Sequence, residues 1–264
     1  MVFSNVTKKQ AFIMHLATSA FIFFVISYLI IFHWFPDFYF YLDGGDHGMI
    51  TIFCVDVILG PGLTLLIFKP GKKSLKFDMT VILLLQLSAL YWGVSSVYQA
   101  RPGGAVFYWG TLTCISQDDV GNMNMGAIAA GPSGAQRLSF LQRPDTLYDF
   151  YRFQNEAYEK GSASIYYYGE KIVPLDRSVE KRLENYRLNL SKLAEENAVL
   201  ARTVESYVDG HKADMEYINL MPLSCRYGAA IAVYDTRELK ITDFFETKEI
   251  KLRADALDEP LPSE

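Results

Sequence analysis

Arginine is missing from the first hundred residues of this 264-residue chain, where only six lysines and five aspartates carry charge. That scarcity excludes an ordinary solvated surface there, because soluble domains carry about a quarter charged residues. The remaining nineteen basic and twenty-five acidic residues lie in 101–264, so the two parts carry formal charges of +1 and −6. Lys/Arg stripes are also lacking outside two short clusters, and with a net charge of −5 this excludes a basic nucleic-acid binder. Only three cysteines occur, too few for a disulfide-dense scaffold. What is abundant is aromatic: 18 Phe and 17 Tyr supply enough apolar surface to exclude a disordered chain.

The uncharged part contains three long apolar runs. Residues 11–33 have no acid, lysine or arginine and only His15 and His33 as basic groups, residues 49–68 carry one charge, Asp56, and residues 79–98 carry none. At 1.5 Å per residue each run crosses the roughly 30 Å hydrocarbon core of a bilayer. A three-helix transmembrane region over 1–100 is therefore expected. The first run is too long for a cleaved signal peptide and lacks a small-x-small cleavage site, so it reads as a retained anchor. Lys8 and Lys9 precede it, and Lys69, Lys72, Lys73 and Lys76 fill the second connection, whereas the first connection carries only Asp37, Asp43 and Asp46. The positive-inside rule puts the lysine ends in the cytoplasm and everything after Tyr98 outside it. The same four lysines attract anionic lipid headgroups at about 1 kcal/mol each.

Polar residues within the runs point to contacts. A carboxylate at membrane depth costs roughly 2.5 to 3.5 kcal/mol on insertion scales and is normally paired or protonated. Counting inward from Phe68 and from Met79 sets Asp56 level with Tyr91, with Ser88 one turn away, so an Asp56–Tyr91 hydrogen bond is expected. Asp56 and Tyr91 are equally candidates for contact with a membrane-embedded partner. Nearer the cytoplasmic border, His15 is expected either to meet Asp78 or to snorkel. The Gly60-Pro61-Gly62 sequence should kink the second helix and admit another helix closely.

Four segments in this region resemble the type IV pilin accessory proteins of the TfpX/TfpZ kind. They are KQAFIMHLATS (9–19), VDVILGPGLTLLIFKPGKKSLKFD (55–78), QLSALY (86–91) and YQARP (98–102), with RPDTLY (143–148) and the NLMPLSCRYGAAIAVYDTRE region resembling them more loosely. The resemblance implies a chaperone-like bacterial inner-membrane protein that supports accumulation or assembly of its cognate pilin. It also implies that residues 101–264 lie in the periplasm. A structural part of the assembly platform, or a membrane enzyme modifying pilin, are the competing readings.

Residues 101–264 are expected to form one α+β domain. Residues 105–115 read as a strand, 121–134 as a loop, 147–160 as a short helix, and 165–172 are ambiguous. Closing strands are expected at 217–223, 226–234 and 239–245, the last pair as a hairpin, and the acidic tail 255–264 should fray. Over 176–208 a heptad pattern places Leu183, Leu190, Asn197 and Val204 at one seam position and Leu193 and Leu200 among the alternates. One helix of 33 residues, about 50 Å long, is expected. It either lies along the sheet or leaves its seam open for a pilin helix or for self-association, with Leu183, Leu190, Asn197 and Leu200 as contacts.

Cys114 and Cys225 form an even pair on expected strands outside the cytoplasm, so they are a candidate disulfide, with two buried free thiols as the alternative. No catalytic constellation is apparent, and neither enzyme activity, a cofactor nor a metal is expected. Prepilin-peptidase chemistry needs paired aspartates at the membrane border, but Asp56 and Asp78 lie at different depths. The DGGDHG segment (43–48) has metal-compatible side chains yet reads as a solvated turn.

Overall fold

A computed structural model describes residues 6–108, 110–122, 138–141, 146–159, 171–175, 188 and 190–247. It divides the chain into two units, one of residues 1–40 and 44–101, the other of 41–43 and 102–264.

The first unit holds three helices long and apolar enough to cross a membrane, Lys8–Trp34, Gly45–Ile67 and Leu75–Gln99, of 27, 23 and 25 residues. Each begins before its apolar stretch, because flanking polar residues cap or continue the helix. Thr7 accepts from the Gln10 amide while the Gln10 side chain accepts from the Thr7 N–H, a reciprocal capping box. Leu75 begins the third helix four residues before the apolar run, inside the lysine-containing segment.

The second helix changes register within itself. It is α-helical over Gly45–Ile52, π-helical over Phe53–Leu59 and α-helical again over Gly60–Ile67. Pro61 explains the widened stretch, because it has no N–H to offer a carbonyl one turn earlier. Small residues then let the helices meet: a Cβ at Gly48 would lie 2.8 Å from Val97.

The second unit is built on a seven-stranded sheet, β1 (Pro102–Tyr108), β2 (Thr111–Ser116), β3 (Leu138–Leu141), β4 (Ile172–Pro174), β5 (Ile218–Ser224), β6 (Ala229–Asp235) and β7 (Lys240–Thr247). Its order is β4-β3-β1-β2-β5-β6-β7. The pairs β1/β3 and β2/β5 are parallel, and the other four are antiparallel. The single strand expected over 105–115 is a hairpin instead, turned at Gly110, whose φ of 77° suits a residue without a Cβ. β5 and β6 are apolar and buried over nearly their whole length. β7 follows a turn in which Arg237 bonds Asp235 and Asp214 and stacks over Tyr217. Helix Leu147–Glu159 lies where the sequence places one, capped by Thr146.

The 33-residue helix is corrected. Its described part is two helices, Leu190–Glu196 and Ala198–Gly210, broken at Asn197. Asn197 is exposed, and its side chain accepts from the Leu200 N–H, an N-cap interaction worth about 1 kcal/mol rather than a buried seam contact. Leu193, Leu200, Ala201 and Val204 pack on Ile218 and Leu220 of β5 and Ile231 and Val233 of β6, with Leu190 at the margin. Over the described residues the seam is thus covered by the unit's own sheet. Leu183, most of the loop 121–134 and the ambiguous 165–172, and the tail 255–264 lie outside the described residues.

Candidate functional site

Two clusters of polar side chains stand out, one in each unit. In the helical unit a single amide gathers three helices. Gln86 Nε2 on the third helix donates to Asp56 Oδ1 at 2.9 Å, to the Asp56 carbonyl at 3.2 Å and to Ser19 Oγ on the first helix at 3.4 Å. The π-register creates the carbonyl contact. Gly60 N–H bonds the Val55 carbonyl, and the residue in register with the Asp56 carbonyl is Pro61, which has no donor. Gln86 therefore satisfies a backbone group that the helix itself leaves open.

Space for that amide comes from Gly60, where a Cβ would stand 1.9 Å from Gln86 Nε2. Ser19 and Asp56 are each 3% exposed. Asp56 Oδ2 and Gln86 Oε1 are buried with no hydrogen-bond partner. A second rung joins the first two helices, His15 Nδ1 to Thr64 Oγ1 at 2.6 Å, with Thr64 fully buried.

Two sequence expectations fail here. Tyr91 does not meet Asp56; it is 77% exposed and points away from the bundle. The third helix starts at Leu75 rather than at Met79, which shifts the level of every residue on it by four. Measured between the real helix ends, Asp56 lies eleven residues before Ile67 and Gln86 eleven residues after Leu75, so the two are level. His15 meets Thr64, while Asp78 pairs with Lys72 and accepts from Ser74, holding the start of the third helix. Lys69, Lys73 and Lys76 are exposed.

The second cluster joins the expected Cys114–Cys225 disulfide to a residue the sequence did not point to. Asp43, expected in a solvated turn, is 2% exposed and belongs to the sheet unit. Its Oδ1 accepts from the Arg226 backbone N–H at 3.4 Å, beside the Leu42 carbonyl, which accepts from the Tyr227 N–H at 2.9 Å. Asp43 Oδ2 has no partner. Cys114 on β2 and Cys225 just after β5 are joined as a disulfide, and a carboxylate oxygen of Asp43 lies within 4.8 Å of both sulfurs. Bonded to each other, the two sulfurs are not thiolate ligands for a metal. Asp46 and His47, the other metal-compatible residues of this segment, pair with one another at 2.8 Å.

Burial pushes the Asp43 carboxyl up to about 6 against the opposing influence of Arg226, with Asp119 adding a smaller upward push. A carboxyl raised in the fold contributes its stability in full below the unfolded value of 3.8 and loses it as pH rises through 6. The loss amounts to about 3 kcal/mol at 1.36 kcal/mol per unit. In a comparison of thermal midpoints across pH 4 to about 8, Asp43→Asn is expected to lack this decline, since an amide has no charged form to desolvate. Parallel curves for the two proteins would contradict it.

Comparison with known proteins finds relatives over part of the chain. No family model matches, and no solved structure matches. Three curated relatives from Dichelobacter nodosus do. The fimbrial assembly protein of serogroup I is 34% identical over 98 residues, 36% of this chain and 38% of that protein. The protein of serogroup E1 is 31% identical over 119 residues, 44% of this chain and 43% of that protein. The chain thus spans well under half the length of these two relatives. The fimbrial assembly protein of serogroups C1 and C2 is 33% identical over 98 residues, and the match covers 36% of this chain and 75% of that protein. With that coverage of a relative at this identity, the chain belongs to the fimbrial assembly proteins.

Proposed function

We propose that this chain is a bacterial inner-membrane protein of type IV pilus assembly that supports accumulation or assembly of its cognate pilin, acting by binding rather than by catalysis. The supporting observation is the family membership, joined to three apolar helices tied by one intramembrane amide–carboxylate cluster. Such a cluster fixes the rotation of each helix about its axis, and therefore which faces are turned outward. A pilin held by those faces would be kept in the membrane until assembly. In this reading the lysine connection is cytoplasmic and the sheet unit periplasmic.

The described helices Leu190–Glu196 and Ala198–Gly210 turn their apolar face to their own sheet, which favours the outward faces of the apolar helices of the first unit as the recognition surface. Deleting the gene is expected to lower the steady-state level of the pilin or its surface fibres, and expression in trans should restore it. Unchanged pilin and fibre levels in the deletion strain would refute the role.

A further inference from the structure

The Asp43 cluster has chemistry that pilin recognition does not use. We propose that the Cys114–Cys225 disulfide is a thiol–disulfide exchange site for a protein dithiol, with Asp43 as its proton-transfer group. Three observations converge on it.

First, the disulfide sits at the narrowest join of the sheet. β2 and β5 pair only through Leu112 with Leu223 and Thr113 with Ser224, and the cysteines are the residues that follow these pairs in each segment, Cys114 on β2 and Cys225 just past β5. Opening the bond therefore acts on the seam between β4-β3-β1-β2 and β5-β6-β7. Second, Cys225 is only partly buried and lies between exposed Ser224 and exposed Arg226 and Tyr227, so a partner's thiolate can approach it. Third, the Asp43 oxygen that lacks a partner belongs to a carboxyl within 4.8 Å of both sulfurs, a separation that one water bridges. A buried carboxyl with an unused oxygen beside a disulfide costs stability, and proton transfer is a use for it.

The step balances as follows. A partner thiolate attacks Cys225 Sγ, the Cys114–Cys225 bond breaks, and a mixed disulfide forms between the partner and Cys225. The electron pair leaves on Cys114 Sγ, which takes the proton of the Asp43 carboxylic acid. The partner's second thiol gives its proton to the Asp43 carboxylate and attacks its own sulfur in the mixed disulfide. Cys225 then leaves as a thiolate and takes a proton from water. Two electrons pass, the partner dithiol becomes a disulfide and both cysteines become thiols. The reverse sequence oxidises them, with Asp43 accepting the Cys114 proton.

Three groups set the protonation of Asp43: the backbone N–H and the charge of Arg226, which follows β5, and the charge of Asp119, on the Gln117–Asn122 helix that follows β2. Burial keeps the carboxyl acidic up to about pH 6, so the acid form is present below that value and lost above it.

The test is reduction of the full chain in detergent by dithiothreitol, with the rate expressed per reagent thiolate from pH 5 to about 8. The wild-type rate should fall as pH rises through about 6. Asp43→Asn should be slower at the acid end, on the order of 10²-fold for a lost general acid, and flat with pH. Alkylation after an acid quench should find the mixed disulfide on Cys225. Equal rates and profiles for the two proteins would overturn the proposal. Should Asp43→Asn not fold, the wild-type profile decides alone: a pH-independent rate per thiolate, or reduction no faster than global unfolding, overturns it.

Discussion

Replacing Gln86 with leucine is expected to destabilise the membrane helices by about 3 kcal/mol, because it removes the donor to a buried carboxylate and to a carbonyl that the helix cannot satisfy. The fall should appear as a lower midpoint in detergent-denaturation curves and as reduced accumulation in membranes. Gly60→Ala should act in the same direction, since its Cβ would occupy the place of Nε2 and push the amide off Asp56. Asp56→Asn keeps an acceptor for Gln86 and should be mild. The pair Asp56→Leu with Gln86→Leu is the informative case. With the carboxyl gone as well, the part of the loss due to the unpaired side chain should return, while the part due to the backbone carbonyl of residue 56, still without its donor, should stay. A double variant as unstable as the sum of the singles would show that the two side chains do not act on each other.

The second large effect concerns the sheet unit. Replacing Cys114 and Cys225 by alanine is expected to lower its stability by about 4 to 5 kcal/mol, from the chain freedom regained when a 111-residue separation is no longer closed. The position of the bond adds to this. It reinforces a parallel pairing of only two residue pairs between β2 and β5, whereas β5 and β6 are held by seven. Limited proteolysis should therefore cut the double variant between the two halves of the sheet before either half is degraded. Equal thermal midpoints for the oxidised wild type and the double variant would remove the disulfide from any account of stability.

How much of this was legible beforehand depended on whether a feature is local. Long uncharged runs declare themselves, since nothing but hydrocarbon or a large core accommodates them, and three apolar helices were found at the expected places. Asp56 was legible as the polar residue needing a partner. The partner was not, because the third helix starts at Leu75, four residues before the apolar run opens at Met79, and four residues of helix are more than one turn. The apolar spacing at 193, 200 and 204 marked the buried face correctly. It could not reveal the break at Asn197, because two helices lying on one sheet present the same face as a continuous one. Asp43 was the clearest failure. Glycines and acids in sequence signal a turn, and only the pairing of Leu42 and Asp43 with the backbone of Arg226 and Tyr227, some 180 residues away, buries that carboxylate.

The central claim is that the outward faces of these membrane helices hold a pilin. Tyr91 and Trp92 of the third helix are 77% and 73% exposed and form part of such a face. A photo-crosslinking amino acid placed at each position, in cells making pilin, tests the claim most directly. The expected result is an adduct with the combined mass of this chain and the pilin, weakened when Gln86→Leu frees the helices to rotate. No pilin adduct from either position, nor from Phe21 or Phe24 on the first helix, in cells whose pilin level still depends on this protein, would contradict it.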